Sequence, residues 1–423
     1  MGILLRTKNE IQELNLDLVE IDAFWNTGQE RERRIHRIHS YPAKFPAFIT
    51  SKALEFAERN GLKPKRIADI FCGCGTVAFE AKRNGIDFWG CDINPVATMI
   101  ARTKSQNYKV DRLETYFNNI LSQFDSLKNF FEVYENANER LKYWYSEKQY
   151  IELARLKKAI EVSIPSRSMY REFFMCAFSN ILKPASRWLT KSIKPQVDPF
   201  KDPVNVIFTF KKQVQYMITA YSEINERNKS RTEILNTNFL SPKVVRPKVD
   251  MIITSPPYVT SYEYADLHQL SSLWLGYVED YRELREGSVG SLYHNNILNT
   301  SNLNNTGKKI YDDLSVKSKR QAFAVAKYFL DIQEVAKKCV NMLNENGMAI
   351  FVIGDTEYKK IRIENSRHLL EALMESGMRE LSITKRKISG KILTPYRDDK
   401  GKFSVNQNDR KVYSEEFIVI GRK

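Results

Sequence analysis

Residues 249–254 read Val-Asp-Met-Ile-Ile-Thr, four apolar positions in six. A short apolar run bounded by turn residues predicts a buried parallel strand. It stops at Ser255-Pro256-Pro257-Tyr258, where neither proline has an N–H to continue a ladder. Shorter runs predict further strands ending at Asp69-Ile70-Phe71, at Cys91 after Ile86, over 232–235, and over 348–353 before Gly354-Asp355. Helical spacing recurs from Phe48 to Ala57, from Val77 to Arg83, after Asn94-Pro95, over 320–343 and over 366–376. Asn84-Gly85 and Asn344 to Gly347 read as turns. Strand-like pieces near 381–388 and 416–420, joined through Asp398 to Gly401, predict an antiparallel closing pair. Alternating strands and helices predict an α/β fold with a mostly parallel, Rossmann-like sheet.

Other stretches read differently. Residues 1–30 form a polar lead with an amphipathic piece around Ile11 to Trp25. Residues 31–40 are strongly basic and run into Tyr41-Pro42-Ala43-Lys44-Phe45-Pro46, whose prolines favour extended backbone. Residues 105–232 are helical and rich in Lys, Arg, Tyr and Phe, and predict an insert dividing a domain made of 1–104 and 233–423. After the prolines, Tyr262, Tyr264, Leu267, Leu270, Trp274 and Leu275 make a helical stripe fit for a core. Residues 285–309, full of Asn, Ser and Gly, predict a long polar loop.

Two turns carry candidate chemistry. Gly73 and Gly75 allow a tight bend and close backbone approach to a ligand, and Thr76 is placed to cap the helix that follows. Asp92 lies 17 positions beyond Gly75, near the spacing at which a carboxylate takes ribose hydroxyls. The third glycine of a dinucleotide site is absent, so a nucleoside without phosphates fits better. At the other turn, the Ser255 hydroxyl, the Pro256 carbonyl and the Tyr258 ring suit a flat ring bearing an amino group: two acceptors and a face to stack on.

The net charge of +15 points to a polyanionic partner, with nucleic acid first. Arg167, Arg171, Lys183, Arg187, Lys191, Lys194 and Lys201, set among aromatics, suit phosphate contacts and stacking. The five cysteines lack paired metal spacing and read as reduced packing residues of a cytoplasmic protein. No run of about 18 apolar residues predicts a membrane span.

Asp69-x-Phe71-x-Gly73-x-Gly75 together with Thr254-Ser255-Pro256-Pro257-Tyr258 resembles the DNA amino-methyltransferases of bacterial and archaeal restriction–modification systems. The S-P-P-Y form resembles the cytosine-N4 branch. Tyr41 to Pro46 resembles the family's N-terminal cofactor-side motif. The resemblance implies S-adenosylmethionine as cofactor, double-stranded DNA as partner, a separately acting endonuclease, and a monomer or weak dimer. It implies that Asp69, Gly73 and Gly75 line the methionine part, with Phe71 and Thr76 beside them. Asp92 and Ile93 then serve the ribose end. Asn238 stands where the family has an acid near the adenine amine. Phe45 and Pro46 pack against the cofactor. Ser255, Pro256, Pro257 and Tyr258 form the catalytic turn that holds a flipped-out base.

No Pro-Cys dipeptide supplies a nucleophile for carbon-5 methylation. Three alternatives stay open: the same chemistry at adenine N6, methylation of an RNA base or protein amide, and a non-catalytic DNA-binding subunit with the same fold.

Overall fold

The computed structural model describes residues 2–28, 31–42, 44–129, 134–224, 230–259, 264–291, 298–388, 396–397, 403–404, 406, 410–411 and 414–423. Ala43, Tyr262, residues 292–297 of the polar loop and the Asp398–Gly401 connection lie outside them.

Eight strands form the central sheet: β1 (Ile3–Leu5), β2 (Arg66–Asp69), β3 (Asp87–Asp92), β4 (Thr232–Asn236), β5 (Val249–Thr254), β6 (Leu343–Ile353), β7 (Glu380–Lys387) and β8 (Glu415–Arg422). Their order is β1-β7-β8-β6-β5-β2-β3-β4. Strands β4, β3, β2, β5 and β6 are parallel, and β8 runs antiparallel to both β6 and β7. This is the mostly parallel, Rossmann-like sheet with an antiparallel closing strand that the sequence predicts. Near-continuous apolar sequence follows from burial of both faces: Val249, Met251, Ile252 and Ile253 are all buried.

From β2 the chain builds outward to β3 and β4 on one side, and β5 and β6 extend the other. The order therefore reverses between β2 and β5, and a crevice opens at their carboxyl ends. Both turns singled out in the sequence lie there.

Helices α1 (Ala47–Arg59), α2 (Thr76–Arg83) and α3 (Pro95–Ser105) accompany the first half of the sheet. Pro95 sits in the first turn of α3, where its missing N–H costs nothing, and Asn94 caps it. The region 105–232 holds α4 (Val110–Ser126), α5 (Glu147–Ser163), α6 (Met169–Leu182) and α7 (Val206–Ser222). These helices share one apolar cluster with Met99 and Ile100 of α3 and with Leu270, Leu273 and Trp274 of α8 (Gln269–Trp274). This cluster is separate from the two that hold the sheet strands, and meets that body through Phe79 of α2 and through α3. Helices α9 (Asn305–Lys317), α10 (Lys319–Met342) and α11 (Asn365–Glu375) complete the second half.

Three expectations change. Ile3–Leu5 of the polar lead is an edge strand on β7, a long-range pairing that local pattern does not encode. Asn344 to Gly347 is a bulge inside β6 rather than a turn before it: the partners on β5 pass from Val249–Leu343 to Met251–Met348, with Asn346 at φ 62° between them. The polar loop ends early, because Asn304 caps α9 by accepting from Gly307 N–H. All five cysteines are free and buried. No helix among the described residues is long and apolar enough to cross a membrane.

Candidate active site

The first wall of the crevice is the turn after β2. Gly73 and Gly75 both have positive φ, 47° and 75°, a region side chains avoid. At Gly75 a Cβ would also fall 2.5 Å from that of Ala101, so α3 packs this closely only against glycine. The turn is closed by Asp92 at the end of β3. Its Oδ2 accepts from Gly73 N–H at 2.8 Å and its Oδ1 from Asn94 N–H at 2.9 Å. Each oxygen keeps a lone pair, and two acceptors side by side suit a vicinal diol. Burial raises the Asp92 carboxyl above its ordinary value.

Asp69 closes the other end of the turn. Its Oδ1 accepts from the Thr254 hydroxyl at 2.6 Å and from Phe71 N–H at 3.1 Å. Burial pushes its carboxyl up to about 7, and the charge on Asp92 adds to the rise. Two acidic groups sharing one groove favour a cationic ligand. The ammonium and sulfonium of adenosylmethionine meet that requirement.

Thr76 does not cap α2. The left-handed Gly75 is itself the N-cap, and Thr76 begins the first turn with its side chain buried. Its hydroxyl has no partner among the described residues and is not presented to the crevice.

At the nucleoside end, the Asn238 side-chain amide donates to Gly287 C=O at 2.9 Å, and its Oδ1 accepts from Leu240 N–H at 2.8 Å. A Cβ on Gly287, whose φ is 74°, would sit 3.2 Å from the Ile93 side chain. Asn238 thus staples the 286–290 segment beside Ile93, leaving one lone pair for an amino group. Nothing in the sequence singled out Gly287 from its polar surroundings.

The second wall is the proline turn. Ser255 donates its hydroxyl proton to Val352 C=O on β6 at 2.8 Å. With that proton committed, the oxygen retains acceptor capacity only. Pro256 is buried, Pro257 and Tyr258 are half-buried. The Tyr258 ring lies against Gly354, where a Cβ would be 3.1 Å away, and its hydroxyl donates to Glu416 Oε2 at 3.1 Å. Burial and the Glu416 charge raise the phenol well above its ordinary range, so it stays protonated.

Tyr41 joins the walls. Its ring is the nearest group to Gly73, at 3.6 Å from a Cβ built there. It stacks on His268 with centroids 5.0 Å apart and, more loosely, on Tyr264 at 6.5 Å. Burial holds His268 down to about 4, so this wall is neutral and aromatic. Phe45 packs with the core cluster that contains Cys72 and Val77, and Pro46 is the N-cap of α1. From that segment, the Tyr41 ring reaches Gly73 of the glycine turn. The sequence placed Tyr41 in the cofactor-side motif but gave the packing to Phe45 and Pro46, and it missed His268 and Glu416.

Comparison with known proteins shows what the chain is similar to. Residues 55–195 match the family model of the D12 class N6 adenine-specific DNA methyltransferases. The chain is 24% identical over 389 residues to the Type II methyltransferase M.MvaI of Kocuria varians, covering 84% of each protein. It is 25% identical to the Type II methyltransferase M.BsoBI of Geobacillus stearothermophilus, over 68% of this chain and 60% of that one. Among solved structures, the rRNA methyltransferase aviRa from Streptomyces viridochromogenes aligns over 94% of this chain and 96% of its own, at 8% identity and a TM-score of 0.30.

Proposed function

We propose that the chain transfers a methyl group from S-adenosylmethionine to the exocyclic N4 amine of a cytosine flipped out of a specific double-stranded DNA sequence, shielding that sequence from a cognate endonuclease. The observation that carries the reading is the meeting of the two turns. Thr254, the residue before the S-P-P-Y serine, donates to Asp69 of the glycine turn at 2.6 Å. A base held by one turn then lies beside a cofactor held by the other.

The cofactor residues are Asp69, Gly73, Asp92, Ile93 and Asn238, with Tyr41 over the glycine turn. When bound, adenosylmethionine supplies an electrophilic methyl on a sulfonium. The protein's own work is to hold and to orient. An exocyclic amine is a poor nucleophile, because its lone pair is delocalised into the ring. The Ser255 oxygen and the Pro256 carbonyl accept its two N–H groups, which favours a more tetrahedral nitrogen and frees that pair. In-line placement does the rest. A base inside a duplex cannot reach this crevice, so it must leave the stack, and the Tyr258 ring is the surface that receives it. No covalent enzyme intermediate is required.

The similarity of most of the chain to Type II methyltransferases supports this reading. Adenine N6 is the second reading, favoured by the family match over 55–195. That stretch covers the cofactor turn and much of the helical region but ends before Ser255, so it bears weakly on which base is held. Labelled-methyl transfer to unmethylated duplex DNA tests the proposal. Label entering RNA or protein while DNA stays unlabelled would overturn it.

A further inference from the structure

The Tyr258 hydroxyl is held from behind by a buried ion pair that the transfer chemistry does not itself need. Glu416 and Arg386 face one another as register partners on β8 and β7. They are 9% and 3% exposed. The carboxylate divides its oxygens. Oε1 takes Arg386 Nε at 2.6 Å, with Nη2 also close, while Oε2 takes the Tyr258 hydroxyl at 3.1 Å. Arg386 is fixed on its other side by the Phe48 ring, 5.5 Å away.

A buried ion pair is a poor stabiliser, because desolvating both charges offsets most of their attraction. An apolar cross-strand pair would serve the sheet as well. What the charged pair adds is a directed acceptor at the far end of the Tyr258 ring. A hydrogen bond at the hydroxyl restrains rotation about Cα–Cβ and so fixes where the ring points; the hydroxyl oxygen lies on the Cβ–Cγ axis, so the ring plane is set by packing instead. Gly354 supplies that packing: a Cβ there would lie 3.1 Å from the ring.

We propose that Glu416, oriented by Arg386, is a positioning residue that holds the Tyr258 side chain in the rotamer from which its ring receives the target base. The proposal rests on the reading of Tyr258 as the base-stacking surface. It extends the site to the antiparallel strands at the end of the chain, 158 residues beyond Tyr258.

The test is a mutant cycle read as turnover at saturating unmethylated genomic DNA, with cofactor affinity measured separately by calorimetry. Tyr258→Phe keeps the ring and loses the hydroxyl. The pair Arg386→Met with Glu416→Leu replaces the charges by apolar groups of similar volume, which sheets tolerate. Each is expected to lower turnover by about tenfold, the scale of one lost hydrogen bond, with cofactor affinity unchanged. Combining them is expected to cost no more than either alone, since both act through one bond. Glu416→Gln, which keeps an acceptor, is expected to restore part of the turnover, and it carries the test with Tyr258→Phe should the apolar pair not fold. Full turnover of Tyr258→Phe, or losses that multiply in the combined variant, would overturn the proposal. Tyr258→Ala separates the two levels. If it too transfers methyl normally, the base-stacking reading itself fails. If it is inactive while Tyr258→Phe is fully active, only the positioning role fails.

Discussion

The hydroxyl of Thr254 donates to Asp69 Oδ1 across 2.6 Å, joining groups 185 residues apart in sequence. The bond crosses from β5 to β2, neighbours in the sheet, and ties the proline turn to the glycine turn. Replacing the threonine by an isosteric apolar residue leaves a buried acid with one donor fewer. Thr254→Val is expected to destabilise the fold by about 1–3 kcal/mol and to weaken cofactor binding. Urea unfolding and calorimetry check the two effects.

Asp69 also sets a pH dependence. Burial pushes its carboxyl up to about 7 in the folded chain, above the ordinary 3.8. The folded state therefore holds this proton more tightly than the unfolded state does. Its contribution to stability is full below pH 4, is lost as the pH rises through 7, and changes little above that. Asp69→Asn removes this slope. The urea midpoint of the unaltered protein is expected to fall more between pH 5 and pH 8 than that of the variant, and parallel pH profiles would contradict the assignment.

Gly75 is constrained twice, by its φ of 75° and by Ala101. Gly75→Ala adds left-handed strain of about 1–2 kcal/mol to an overpacking cost of about 1–3 kcal/mol. The expected result is a loss near the sum of the two, measurable by urea unfolding. Gly73→Ala meets only ordinary contact with Tyr41, so its loss is expected to stay near the strain alone.

Asp92 and Tyr258 separate cofactor from base. Asp92→Asn keeps one acceptor for the turn but gives up the charge and half the diol site, so cofactor affinity is expected to drop at least about tenfold. Tyr258→Ala is expected to lower methyl transfer far more than cofactor affinity. Equal loss of both in Tyr258→Ala, or an unchanged dissociation constant in Asp92→Asn, would remove these roles.

Much of this architecture is legible along the chain because its determinants are local. Apolar runs such as Val249 to Thr254 mark strands buried on both faces, and Gly73 and Gly75 mark backbone that only glycine adopts easily. Asp92 is found by its spacing. What escaped depends on residues far apart in sequence. Nothing local says that Ile3–Leu5 pairs with β7, or that Tyr41 stacks on His268, or that Glu416 meets Tyr258. The Asn344 to Gly347 stretch misled for a related reason. Its composition favours a turn, but pairing with β5 on both sides, at Leu343 and from Met348, makes it a bulge within one strand, with Asn346 left-handed and the Asn344 amide donating to Asp250 at 2.7 Å.

The most direct measurement is the identity of the modified base. Unmethylated duplex DNA is incubated with the protein and adenosylmethionine, digested to nucleosides and resolved by mass spectrometry. N4-methylcytosine at a recurring sequence is the expected product. N6-methyladenine would move the target to the second reading and keep the site, whereas 5-methylcytosine, or DNA left unmodified by folded protein that binds the cofactor, would rule out amine methylation at the proline turn.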